Sequence, residues 1–183
     1  PPSTAVGTDL LYAAITKSGG ILVHNKKSNI NWTITGWLSL GSVPAALITL
    51  WILHSLNADT TALNNMIKYS LGWALVFTSV AILLKKKLLV LSQKHAGDKF
   101  HSESKTQNLL TVAIGVMLGA TVTLTSIGAG ALGTVTLFFL YPLLPTPRLV
   151  GTEIAHAVPL TLVAGLGHAS MGNIDLTILG QLL

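Results

Sequence analysis

The sequence predicts an all-α membrane protein, a polytopic helical bundle of two related repeats with one helix broken at a Gly-rich run. Three observations carry this. Half of the 183 residues are hydrophobic and only 9% are charged, whereas a soluble domain carries roughly 25% charged residues. The apolar residues fall in continuous runs rather than in alternation. The first 39 residues recur, without gaps, as the last 39. Mean hydropathy is +0.65, so the chain could not cover itself with a hydrated surface. An ordinary soluble enzyme, a disordered segment and a nucleic-acid-binding domain are excluded, and a lipid bilayer is the expected surrounding.

The runs are long enough to cross a bilayer, which takes roughly 20 apolar residues. Ala5 to Val23 is the weakest candidate, because it holds Asp9 and Lys17. Trp32 to Leu53 gives 22 uncharged residues, and Met66 to Leu84 gives 19 with only Lys68 near its start. Thr106 to Pro147 gives 42 uncharged residues, too many for one span. Two spans and a turn fit it, and so does one span followed by a short broken helix. Ser126–Gly133 is the expected break, because its glycines weaken helix and permit close backbone approach. Ile154 to Ile174 gives 21 residues, with His156 and His168 inside. Asp175 to Leu183 reads as the start of a further span. The chain opens Pro1-Pro2-Ser3 and closes Leu182-Leu183, and reads as a fragment of a longer membrane protein.

Charge sets an orientation. Formal charge is +5, and six of eleven basic residues (Lys85, Lys86, Lys87, Lys94, Lys99 and Lys105) lie in one stretch. The stretch 24–31 holds Lys26 and Lys27, while 54–65 holds no Lys or Arg. Alternation of basic, non-basic and basic connections places the first and third in the cytoplasm. Trp32, Trp37, Trp51 and Trp73 mostly flank the runs, as interfacial anchors do. The expected division is 1–84 for the helices of the first repeat, 85–108 for a basic cytoplasmic loop, and 109–183 for the helices of the second repeat. With no Cys, thiol chemistry, disulfides and Cys-ligated metal are excluded.

The repeat aligns Pro1–Ser39 with Pro145–Leu183 at a constant offset of 144, with 13 of 39 positions identical. Val6-Gly7-Thr8 matches Val150-Gly151-Thr152, His24 matches His168, and Asn29-Ile30 matches Asn173-Ile174. Asp9 and Glu153 follow Gly-Thr as an acid-for-acid match, and Asn31 and Asp175 are a near match. Two structural repeats are a common architecture of secondary transporters, whose substrate site lies at the repeat interface.

Individual residues carry several readings. Gly128, Gly130 and Gly133, with Ser126 and Thr134, could turn backbone N–H groups and hydroxyls toward an anion, or could simply let helices pack closely. Thr8 and Thr152 could face one central site, or cap helix N-termini with the acid in the first turn. Asp9 and Glu153 are ionisable groups in membrane segments and hence candidates for ion coupling, or else hydrated interfacial acids. His156 lies three residues after Glu153, so the two could share a helical face. Lys17 could attract an anion, pair with Asp9 or snorkel to the surface. Its repeat counterpart is Thr161. Arg148 is best read as a positive-inside loop residue. His24 and His168 lack the clustered partners of a metal site, and a role at a loop-capping turn fits them better. No nucleophile elbow, metal set or paired acids of an enzyme stand out. No catalytic residue, metal or cofactor is expected.

These residues resemble the TauE/SafE family of sulfite exporters. Leu124-Thr-Ser-Ile-Gly-Ala-Gly-Ala-Leu-Gly133 looks like that family's Gly-rich motif. Tyr141-Pro142, Arg148–Ala157, Gly165–His168 and Gly172–Asp175 continue the match in the second half, and Val6–Ala13 resembles the corresponding segment of the first. The resemblance implies two related helical halves in a bacterial cytoplasmic membrane. It also implies a permease for small sulfur-containing oxyanions such as sulfite or organosulfonates, coupled to an ion gradient. It implies a first-half Gly-rich segment upstream of Pro1. The alternative is a non-transport membrane component or an inactive truncated relative.

Overall fold

A computed structural model describes the backbone of residues 1–56, 60–99 and 105–183. Among these, every regular element is helical: α1 (Pro2–Lys26), α2 (Trp32–Leu56), α3 (Thr60–Lys99), α4 (Lys105–Thr125), α5 (Ala131–Leu140), α6 (Thr146–Ser170) and α7 (Leu176–Leu182). Among the described residues, four stretches are long and apolar enough to cross a membrane: Trp32–Ser55, Asn64–Leu84, Lys105–Thr125 and Thr146–Ser170. The weakest apolar run belongs to α1, an unbroken helix of 25 residues with Pro2 in its first turn, a position that suits proline.

The distribution of polarity is that of a membrane bundle. Thr111, Thr123, Thr152, Thr161, Ser42, Glu153, His156 and His168 are buried, while Trp51, Trp73, Phe77 and Leu83 are exposed. Buried hydroxyls are satisfied locally, since Thr49, Thr123 and Thr161 each donate to the carbonyl four residues back. Such bonds let a polar side chain sit in an apolar setting at little cost.

Two helix pairs build the bundle, α2 with α4 and α1 with α6, and α2 packs against α6 to join them. Small residues set the first pairing. Gly115 and Gly119 of α4 lie against the Leu38 and Ser42 carbonyls, and Gly41 of α2 lies against the Val112 carbonyl. Backbones this close exclude side chains and gain dispersion contact along the seam. One apolar core joins Val6, Leu10, Ala46, Leu53, Ile67, Val122 and Leu160. A second gathers Ile34, Leu38, Leu137, Phe138 and Leu149. Helix α3 lies at the edge, with Tyr69, Trp73 and Phe77 outermost.

The long uncharged stretch resolves as one span and a half-helix. Helix α4 ends at Thr125, residues 126–130 are irregular, and α5 has ten residues. Gln107 Nε2 donates to the Leu140 carbonyl at 3.0 Å, and Thr111 and Tyr141 share a hydroxyl bond of 2.6 Å. These bonds bring the end of α5 back beside the start of α4. One boundary differs from the expected one. The basic stretch expected as a loop from residue 85 is helical as far as Lys99. Hydropathy marks where apolar residues stop, but Lys and Leu are strong helix formers and carry the helix past that point. Residues 57–59 and 100–104 lie outside the described backbone, so those parts of the expected connections are not described.

Candidate functional site

The repeat has a structural meaning in the α1–α6 pair, which is antiparallel. The start of each helix meets the turn that follows the other. Gly7 of α1 lies against the Asn173 carbonyl and His168, and Gly151 of α6 lies against the Asn29 carbonyl and His24. Thr152 Oγ1 accepts the Asn31 amide at 2.9 Å, and Thr8 Oγ1 accepts the Asp175 amide at 3.0 Å. The turns themselves match. Asn29 N donates to the His24 carbonyl at 2.9 Å, and Asn173 N to the His168 carbonyl at 3.0 Å. Ser28 and Gly172, equivalent at the offset of 144, are both left-handed, with φ of 54° and 74°. This is the wide turn that commonly ends a helix. Asn31 then caps α2 through the Thr33 and Ile34 amides, as Asp175 caps α7 through the Thr177 and Ile178 amides.

Thr8 and Thr152 therefore cap nothing and do not meet at a shared centre. They lie inside α1 and α6, donate to the carbonyls of Thr4 and Arg148, and hold the opposite repeat's turn. His24 and His168 lie in the last turns of their helices, and His168 Nε2 also bonds the Thr123 carbonyl at 2.9 Å.

The Gly-rich break lies alongside the central part of α1. Its backbone needs glycine at Gly128, where φ is 120°, a conformation closed to residues with a Cβ. The amides of Gly130 and Gly133 both donate to the Gly128 carbonyl, at 2.8 and 3.0 Å, and Thr134 N donates to the Gly130 carbonyl at 2.9 Å. Ser126, left-handed at φ 59°, donates its hydroxyl to Asp9 Oδ2. Lys17 Nζ donates to the Ala129 carbonyl and lies 3.4 Å from Glu153 Oε1. A Cβ added at Gly133 would stand 3.0 Å from Glu153 Cγ and 3.3 Å from Oε1, and one at Gly130 would stand 4.0 Å from Lys17 Nζ.

The break is thus bracketed by the two matched acids, Asp9 at its Ser126 end and Glu153 at its Gly133 end, with Lys17 between them. The acids differ in setting: Asp9 is exposed, whereas the Glu153 side chain is 4% exposed. Lys17 partners Glu153 rather than Asp9, contrary to the pairing weighed from sequence. His156 also turns elsewhere, its Nε2 sharing a 2.8 Å bond with Ser42 Oγ of α2. Ser42 carried no signal in the sequence. Lys17 did, as a lone base within an apolar stretch.

Beside Asp9, a cleft of about 380 Å³ opens between α1 and α7, lined by Thr4, Ala5, Thr8, Asp175, Ile178 and Leu182. Shifted by 144, Ala5, Ile178 and Leu182 become Leu149, Ile34 and Leu38. In that half, Leu137 and Phe138 of α5 cover the same positions.

A helical membrane bundle with antiparallel, matched repeats and an unwound Gly-rich element against charged groups has the build of a secondary transporter. The comparisons with known proteins agree. The model of the sulfite exporter TauE/SafE family matches residues 1–183, and the chain belongs to that family of membrane transporters. Over its full length it is 36% identical to the probable membrane transporter protein YjnA of Bacillus subtilis, covering 70% of that protein. It is 27% identical to the probable membrane transporter protein YdhB of the same organism, again covering 70%. No solved structure matches. The protein is a multi-pass protein of the cell membrane.

Proposed function

We propose that this transporter moves small sulfur-containing oxyanions, such as sulfite or organosulfonates, by ion-coupled alternating access. The observation that carries the reading is the break itself. An anion-attracting helix N-terminus, that of α5, opens beside Lys17 and between two acids. The proposed substrate contacts are Ser126, Gly128, Gly130, Gly133 and Thr134. The helix dipole and the Lys17 ammonium supply the attraction. Asp9, Glu153 and His156 are the proposed coupling groups. The α1–α6 latches, with Thr8 and Thr152, hold the two repeats together across their interface.

The cleft between α1 and α7 supports the two-fold reading. By the offset of 144 its lining matches residues that Leu137 and Phe138 of α5 cover in the other half. The basic ends of the helices, at Lys26 and Lys27 and at Lys85 to Lys105, are proposed to face the cytoplasm.

The test is uptake of radiolabelled sulfite by proteoliposomes containing the protein, with unlabelled methanesulfonate and chloride as competitors. Saturable uptake inhibited by methanesulfonate and not by chloride is expected. Uptake equal to that of protein-free liposomes for both oxyanions would overturn the reading.

A further inference from the structure

Resting on that reading, we infer that Glu153 is a tethered competitor for the substrate. Its carboxylate holds Lys17 beside the first turn of α5, and an oxyanion replaces it there only as Glu153 takes up a proton.

Four observations lead to this. Lys17 is the one cation bonded to the break among the described residues, and its repeat counterpart Thr161 brings no charge. Among the described residues, the one cation an anion at this break can use is therefore already engaged by a carboxylate. Glu153 is buried, and Lys17 is the sole hydrogen-bond partner of its carboxylate among the described residues. The pair is long, at 3.4 Å, against about 2.7–2.9 Å for a strong charge-assisted bond. A loose pair is one that another anion can displace. Finally, Glu153 Oε1 lies beside Gly133 in the first turn of α5, where an anionic group is favoured. The side chain occupies the very place the proposed substrate needs.

Coupling follows from the cost of the alternative. If an oxyanion took Lys17 while Glu153 stayed ionised, a buried carboxylate would be left without a partner, which is strongly unfavourable. A proton from the aqueous phase, added to the carboxylate as the Nζ–Oε1 pair parts, removes that cost. The anion then makes the new pair with Nζ. One proton and one singly charged anion enter together, and the site keeps its net charge. The other groups near Glu153 do not substitute for it. His156, one turn along α6, is held by Ser42. Asp9 of α1 is engaged with Ser126. Helix α5 has no ionisable residue, α4 has only Lys105 at its start, and α2 has only His54 near its end.

The test is equilibrium binding of methanesulfonate and of sulfite to the purified protein in detergent across a pH series. Methanesulfonate keeps its single charge throughout. With a pH-indicator dye in weak buffer, proton uptake is read in the same samples. For the wild type, methanesulfonate affinity is expected to fall about tenfold per pH unit on the alkaline side, with one proton taken up per anion. Glu153→Gln, which cannot ionise, is expected to bind with a flat pH profile and no proton uptake. Lys17→Met is expected to lose binding and Lys17→Arg to retain it. A pH profile in Glu153→Gln as steep as that of the wild type overturns the competition. Binding to the wild type without proton uptake overturns it as well, and needs no variant to fold. If the wild type binds neither anion at any pH, the transport reading falls, and the competition with it.

Discussion

Gly151 lies so close beneath the Asn29 carbonyl that no side chain fits between them, and an added Cβ would also meet His24 Nδ1 at 2.9 Å. Gly7 stands in the same relation to Asn173. These two contacts lock α1 and α6 together at opposite ends, and each uses backbone atoms that cannot swing aside. Gly151→Ala and Gly7→Ala are therefore expected to destabilise the protein by about 1–3 kcal/mol each, as overpacking does. The check is the midpoint of thermal unfolding in detergent. Gly36→Ala, where an added Cβ meets nothing within 4 Å, is the control and should show no loss.

The turns after α1 and α6 are built alike, but one uses Ser28 where the other uses Gly172, both with positive φ. Left-handed backbone costs a residue with a Cβ about 1–2 kcal/mol, and glycine avoids this. Ser28→Gly is expected to stabilise the protein by about 1 kcal/mol, and Gly172→Ala to destabilise it by a similar amount. Unfolding midpoints moving in opposite directions would bear this out; a loss in both would contradict it.

Thr152 and Thr8 accept the amides of Asn31 and Asp175. Valine at either position keeps the shape and removes the acceptor. Each Thr→Val change is expected to cost about 1 kcal/mol, the loss of a half-buried amide's partner. Amide hydrogen exchange at Asn31 in Thr152→Val, and at Asp175 in Thr8→Val, should quicken while the middle of α2 keeps its protection.

Ser42 and His156 form a buried pair at 2.8 Å. Ser42→Ala leaves the ring nitrogen without that partner and is expected to cost about 1–3 kcal/mol. The loss should appear in the unfolding midpoint. An unchanged midpoint would show that the bond contributes nothing.

What could be read from the sequence follows from what each feature demands of residue type. The repeat was legible because its latches need particular chemistry at fixed spacing: Gly7 and Gly151 for close approach, Thr8 and Thr152 as acceptors, Asn31 and Asp175 as caps. The break was legible because glycine disrupts helix locally, although it was expected over Ser126–Gly133 and α5 already begins at Ala131. The Lys17–Glu153 pair was not, because it joins residues 136 apart through a helix crossing that the sequence does not display. The partner of His156 was hidden for the same reason. Proximity along α6 suggested Glu153, whereas packing against α2 brought Ser42. The continuation of α3 was obscured because hydropathy reports lipid-facing length and is silent on helix carried by lysines.

The central claim is that a sulfur oxyanion is held at the Gly-rich break. Gly130 lies beside Lys17, a Cβ there standing 4.0 Å from Nζ, so a bulky side chain would crowd the proposed anion position. Radiolabelled sulfite uptake by proteoliposomes, compared between wild type, Gly130→Leu and Gly36→Leu at equal reconstituted amounts, tests this directly. The account predicts that Gly130→Leu abolishes uptake while Gly36→Leu retains it. Equal uptake in Gly130→Leu and wild type would contradict it.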